Sequence, residues 1–101
     1  MDVKGAAKTA AGYVAEMESI SGNAAGNESE AQVLQSIRFA IEGTHFNETN
    51  NCWEIEIGFA RKWDQASSSP LAGLSGSVKD NRTFKTVVID DSTGNVLSYG
   101  N

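Results

Sequence analysis

The chain has very few of the cysteine and histidine residues on which disulfide frameworks and zinc sites depend. Its 101 residues include one cysteine, one histidine and one proline. A single cysteine excludes an internal disulfide framework, and one cysteine with one histidine cannot complete a zinc site. Phosphate-binding loops, dinucleotide fingerprints and Gly-x-Ser-x-Gly motifs are also missing. The sequence therefore predicts no metal and no cofactor.

Positive charge is scarce as well. Eight Lys and Arg residues stand against 13 Asp and Glu residues, and the formal net charge is −5. Scattered cations on an acidic chain are unlike the basic surfaces that bind nucleic acid. No apolar run is long enough to cross a membrane, so neither nucleic-acid binding nor membrane insertion is expected. A native Met1 predicts a cytoplasmic protein, whereas removal of a signal or anchor predicts an extracytoplasmic one.

The supply of core residues indicates one small domain spanning residues 1–101. Leu, Ile, Val and Phe make up only about a fifth of the chain, close to the share below which chains tend to stay disordered. A chain of this length can bury one helix against one sheet. We expect an α+β fold in which an N-terminal helix packs on a twisted antiparallel sheet of about four strands.

Residues 2–21 have the apolar spacing of an amphipathic helix with a mainly alanine face. Asp2 can cap its start and Gly22 can end it. Glu16 and Glu18 lie near the negative end of the helix dipole, so each is expected to destabilise the helix slightly where it is exposed. The stripe consists of Val3, Ala7, Ala10, Val14 and Met17.

The next segment, residues 30–42, fits two structures. Alternation of apolar residues from Val33 to Ile41 predicts a strand with one buried face. Ser29 followed by Gln32 resembles a helix capping box, and the same apolar residues also fit a helical stripe ending at Gly43. Because β-branched and aromatic residues are frequent here, the strand is the preferred prediction. Residues 47–51 then form a reversal.

Three further strands follow from the pattern. Residues 52–59 alternate, with Trp53, Ile55, Ile57 and Phe59 predicted on the core face and Cys52, Glu54, Glu56 and Gly58 on the wet face. Residues 64–77 are rich in Ser and Gly and predict a loop. The segment Thr83 to Ile89 is apolar on both faces, so that strand is either central or covered by a partner. A turn over 90–95, with Gly94 at positive φ, leads to a last strand from Val96 to Tyr99.

Catalytic chemistry has few candidates. His45 with a carboxylate such as Glu48 could act as a general base, although no nucleophile motif accompanies the pair. Glu54 and Glu56 share one strand face, and with His45 they form the alternative hypothesis of a small-ligand or hydrolytic pocket between helix and sheet. Cys52 is predicted to be an inert surface or edge thiol, since neighbouring negative charge disfavours its thiolate.

The aromatic residues point to a binding surface instead. Trp63 follows two basic residues at the predicted end of a strand, where it either covers the open end of a small core or, if exposed, marks a contact with a partner. The predicted partner-binding residues are Trp63, Phe59, Phe84 and Val88.

The second half of the chain resembles PepSY-type modules. A Trp-led strand, Trp53 to Phe59, is followed by the strand Phe84 to Ile89, which runs into residues 90–98, DDSTGNVLS. This last stretch is similar to the aspartate, threonine-glycine, valine-leucine hairpin of that family. The alanine-rich helix and the closing Ser98 and Tyr99 also resemble the gas-vesicle accessory protein O family. Neither family is known as an enzyme, so both resemblances imply a binding or assembly role.

The sequence thus predicts a non-enzymatic interaction module that binds a protein or peptide partner or forms a homodimer. The strand Thr83 to Ile89 and the region around Trp63 are the expected contact surfaces.

Overall fold

A computed structural model of the chain describes residues 1–20, 29–61, 64–65 and 81–101. The strands form one antiparallel sheet in which order along the chain is also order in the sheet, β1-β2-β3-β4. The predicted α+β fold, with an N-terminal helix on a four-stranded antiparallel sheet, is confirmed. The described elements are α1 (Val3–Ile20), α2 (Glu30–Ser36), β1 (Ala40–Asn47), β2 (Cys52–Phe59), β3 (Thr83–Asp90) and β4 (Val96–Gly100).

The core lies between α1 and one face of the sheet. Small side chains on α1 allow the helix to approach the strands closely, and the sheet supplies the larger aliphatic and aromatic groups. The predicted core positions Ile55, Ile57 and Phe59 are fully buried, whereas Trp53 is partly buried against them. The buried cluster consists of Ala6, Ala10, Val14, Ile37, Ile55, Ile57, Phe59, Val87 and Ile89.

The preferred strand prediction for Val33 to Ile41 is wrong except at its last two residues, which begin β1. Residues Glu30–Ser36 form α2, and the capping box is present: the Gln32 amide donates to Ser29 Oγ at 3.2 Å, and the Ser29 amide donates to Gln32 Oε1 at 2.8 Å. These two bonds satisfy amides at the helix start that water would otherwise have to solvate. Arg38 then has a left-handed φ of 52°, which redirects the chain into β1.

The predicted turns are confirmed. The chain reverses between β1 and β2 over residues 48–51, where Asn51 has a φ of 53° and the Asn50 amide donates to Asn47 Oδ1 at 3.2 Å. Between β3 and β4, Gly94 has the expected positive φ, 75°. The Thr93 amide and hydroxyl both donate to Asp90 Oδ2, at 2.8 and 2.9 Å. Those bonds lower the pKa of the Asp90 carboxyl.

Among the described strands, β1 and β4 are the edges of the sheet and β3 lies in its interior. β3 pairs with β2 on one side and with β4 on the other, so of the two predicted alternatives, a central strand or one covered by a partner, the central position is confirmed, although Phe84 on its second face is 57% exposed. β1 is interrupted by an irregularity between Ile41 and Gly43, a common feature of edge strands. The loop predicted over 64–77 lies outside the described residues except at 64 and 65.

Candidate functional site

The face of the sheet opposite α1 carries a mixed polar and apolar surface, which we call the open face. Its two central columns come from β2 and β3 and run side by side. Register pairs Glu54 with Val88, Glu56 with Thr86 and Gly58 with Phe84. The β2 column is therefore mainly acidic and the β3 column mainly apolar, at the strand spacing of about 4.8 Å.

Phe84 is a large apolar group of this face, and 57% of it is exposed. Its ring lies across Gly58 on the neighbouring strand. A Cβ at Gly58 would lie 3.0 Å from Cδ1 of Phe84 and 2.9 Å from both Nη2 of Arg82 and Oε1 of Glu42. The missing side chain at Gly58 thus makes the space into which three side chains converge, one from β1, one from β3 and one from the residue just before β3.

Arg82 fixes one end of this arrangement. Its Nη2 donates to Glu42 Oε1 at 3.1 Å, and its Nη1 donates to the Arg38 carbonyl at 2.9 Å. The guanidinium carbon also lies 5.9 Å from the centroid of the Phe84 ring, within the range of a cation–π contact. Phe84 is therefore an ordered exposed aromatic group, as expected of a contact residue.

The carboxylates of the acidic β2 column have fewer neutralising contacts than Glu42, which pairs with Arg82. Glu54 accepts a hydrogen bond from Asn47 Nδ2 at 3.4 Å, and Glu56 Oε2 lies 3.1 Å from the position that a Cβ of Gly43 would occupy. Within the part of the chain that the structure describes, neither carboxylate forms an ion pair with Lys, Arg or His. The centre of the open face consequently carries unbalanced negative charge.

Two shallow grooves cross this face and meet at Thr86 and Asn101. One, of about 340 Å³, contains Glu56 and Phe84, and the other, of about 380 Å³, contains Glu54 and Val88. Each groove therefore combines a carboxylate with an apolar side chain. Such a surface can make charged and apolar contacts with the same ligand.

The four predicted partner-binding residues do not form one surface. Phe84 and Val88 lie together on the open face, but Phe59 is fully buried in the core on the opposite side of the sheet. Phe59 therefore has no exposed surface to offer a partner in this fold. Trp63 lies outside the described residues.

The residues of the alternative pocket hypothesis lie on the open face as well. His45 is exposed on the edge strand β1 and pairs in register with Glu54. The space between helix and sheet, where the pocket was expected, is filled by core side chains such as Val14 and Ile55. His45, Glu54 and Glu56 are thus on the wrong face for a cavity beneath α1.

The prediction of Cys52 as a surface or edge thiol is wrong in its position. It is a free cysteine and buried, not a surface or exposed edge residue. Burial, then the charges of Glu54 and Asp90, raise the pKa of its thiol. The expected low reactivity therefore has two physical causes, of which desolvation is the larger.

Sequence reasoning missed a buried ion pair on the helix side. Glu18 is only 2% exposed, and Arg61 donates to it with both Nε and Nη2, the shortest distance being 2.9 Å. These bonds raise the pKa of Arg61. Glu18 follows Ala6, Ala10 and Val14 at intervals of four residues, so its place on the buried face of α1 can be read from the sequence. A charged residue at such a position indicates a buried ionic partner. Glu18 is buried, so the penalty expected for an exposed charge near the negative end of the helix dipole does not apply to it.

Tyr99 lies beside this ion pair. Its ring meets that of Tyr13 edge-on with centroids 5.4 Å apart, and Nζ of Lys85 lies 5.0 Å from its centroid. Burial, reinforced by the charge of Glu18 and opposed by that of Arg61, raises the pKa of Tyr99 to about 12. The buried hydroxyl has no hydrogen-bond partner in the described residues.

Replacing Tyr99 with phenylalanine should leave stability at neutral pH unchanged or slightly higher, because an unsatisfied buried hydroxyl is removed. The folded-state pKa of Tyr99 exceeds the ordinary value of 10.0. The contribution of its neutral hydroxyl to the free energy of unfolding is therefore complete below about pH 10 and is lost as the pH rises through about 12. Tyr99→Phe should remove this part of the alkaline destabilisation. Urea unfolding of both proteins over that pH range measures the difference, and a loss above about 1 kcal/mol at neutral pH would contradict the assignment.

The described fold and face together define a small α+β protein with a helix on one side of a four-stranded meander and a partly apolar, acidic surface on the other. Comparison with known proteins finds no matching family model, no matching curated protein and no matching solved structure. Among the described residues, no group of three or more His, Cys, Asp and Glu could hold a metal ion. The described helices include none with the length and apolar character needed to span a membrane.

Proposed function

We propose that this chain is a non-enzymatic interaction module that binds a protein or peptide on the open face of its sheet. The observation that carries the proposal is the exposed Phe84 ring, ordered over Gly58 by Arg82 and Glu42. An exposed aromatic group beside an arginine is typical of the residues that dominate binding energy at protein interfaces.

Two further features support a binding role over a catalytic one. The grooves on the open face are shallow and line up along β3, which suits a chain segment better than an enclosed substrate. The proposed resemblance to PepSY-type modules also favours a binding role, because that family is not known as an enzyme. His45 is exposed at the edge of the sheet, so the catalytic alternative has no enclosed site from the described residues.

A peptide-display selection against the folded chain tests this proposal. We expect enriched peptides whose binding is weakened at least tenfold by Phe84→Ala, since a well-placed aromatic anchor contributes more than about 1.4 kcal/mol. Ile20→Ala is the matched control, because Ile20 is a large exposed apolar residue at the end of α1, on the other side of the molecule. His45→Ala should weaken binding less than Phe84→Ala, because His45 lies on the edge strand β1.

The proposal fails if no peptide is enriched, or if the enriched peptides bind the Phe84→Ala protein as tightly as the parent. Urea unfolding of each variant establishes that the folded state is retained, so that a lost interaction can be assigned to the surface.

A further inference from the structure

We propose that the partner segment is a basic amphipathic helix, which docks on the open face with cationic residues along β2 and apolar residues along β3. This inference rests on the proposed function and names the chemistry of its ligand. It follows from the separation of the open face into an acidic column and an apolar column on adjacent strands.

Charge complementarity selects a cationic partner. Glu54 and Glu56 occupy successive positions on the same face of β2, about 7 Å apart, and have no ionic partner among the described residues. The only basic side chain fixed over this face by a described ion pair is Arg82, which Glu42 already neutralises at 3.1 Å. Bound lysines or arginines would balance the remaining charge and speed association.

The geometry of the two columns matches neighbouring rows on a helix. Rows of side chains at positions i, i+4 and at i+3, i+7 lie about 5–6 Å apart, close to the distance between β2 and β3. The apolar column from Phe84 to Val88 spans about 13 Å, which corresponds to about nine helical residues. A helix here would cover the second face of the sheet as α1 covers the first.

A second copy of this chain fits the surface less well. Each copy carries a net charge of −5, and the open faces contribute Glu54 and Glu56 to that total. Bringing two such faces together would place carboxylates near carboxylates in a partly desolvated interface, which is costly. The occupant is therefore assigned to a heterologous basic segment rather than to a homodimer.

The test uses three amphipathic peptides of about 16 residues, long enough to form helix in water, with one leucine row and an adjacent row of lysine, glutamine or glutamate. Fluorescence anisotropy at low and high salt gives the affinity of each. We expect the lysine peptide to bind most tightly and to weaken with salt. Glu54→Gln with Glu56→Gln should weaken it by about 3- to 30-fold, the sum of two exposed ion pairs.

A doubly substituted control, Glu16→Gln with Glu48→Gln, removes the same charge from exposed positions on α1 and in the β1–β2 turn and should leave the lysine peptide nearly unaffected. If the glutamine peptide binds as tightly as the lysine peptide and depends on Phe84, the basic-helix inference is overturned while the binding function stands. If the lysine peptide fails to bind or binds equally after Phe84→Ala, the inference is overturned, and the display selection decides the function independently. Concentration-dependent dimerisation of the parent that Glu54→Gln with Glu56→Gln enhances would also overturn it in favour of a second copy.

Discussion

Replacing Arg61 with alanine is expected to lower the free energy of unfolding by about 3–5 kcal/mol, because it leaves the carboxylate of Glu18 buried without its bidentate partner. Glu18 is 2% exposed and the Arg61 side chain 26% exposed, so the pair is largely shielded from water. Urea unfolding of the parent and the variant at neutral pH measures the loss.

Arg82→Ala provides a matched control for this prediction. The Arg82 side chain has the same exposure, 26%, but its carboxylate partner Glu42 is 38% exposed. A solvated pair of this kind contributes about 1 kcal/mol or less. If Arg61→Ala destabilises the protein no more than Arg82→Ala, the buried pair does not carry the structural role assigned to it.

Phe59→Ala is the second substitution with a large expected effect, a loss of about 3–5 kcal/mol in the free energy of unfolding. Phe59 is fully buried at the end of β2, and Arg61 lies over its ring with Cζ 5.1 Å from the centroid. Removing the ring deletes apolar burial and leaves a cavity in a small core. Chemical denaturation gives the value directly.

Phe84→Ala removes the same side chain from an exposed position and should cost about 1 kcal/mol or less. The two phenylalanines thus separate folding from binding: one substitution should reduce stability, and the other should reduce ligand affinity with stability retained. Equal destabilisation by both would mean that Phe84 belongs to the core and not to a contact surface.

The sequence pattern predicted the elements with clear periodicity. Alternation over Cys52–Phe59 placed Ile55, Ile57 and Phe59 in the core, although Cys52 and Gly58 on the other face are buried too. The apolar spacing in α1 included the buried Ala10 and Val14, although Val3 of the same predicted stripe is exposed. The segment around Val33 was harder because residues four apart are compatible with both a helix stripe and a strand face. Two short-range hydrogen bonds between Ser29 and Gln32 decide it, and such bonds outweigh the weak strand propensity of a short segment.

The candidate site was only half predictable. The two-sided apolar pattern of β3 indicated Phe84 and Val88 as surface candidates, but alternation alone could not tell which face of the sheet α1 would leave open. Phe59 was grouped with them although its own alternation placed it in the core. The convergence of side chains above Gly58 depends on pairing between distant strands, which no local pattern contains.

The location of the bound segment tests the central claim most directly. Amide chemical-shift mapping of the chain during titration with the lysine-row peptide distinguishes the two sides of the sheet. Binding on the open face predicts saturable shifts centred on Glu54, Glu56, Phe84 and Val88, with α1 nearly unchanged. Shifts centred on α1 and α2, with the open face unaffected, would contradict the account.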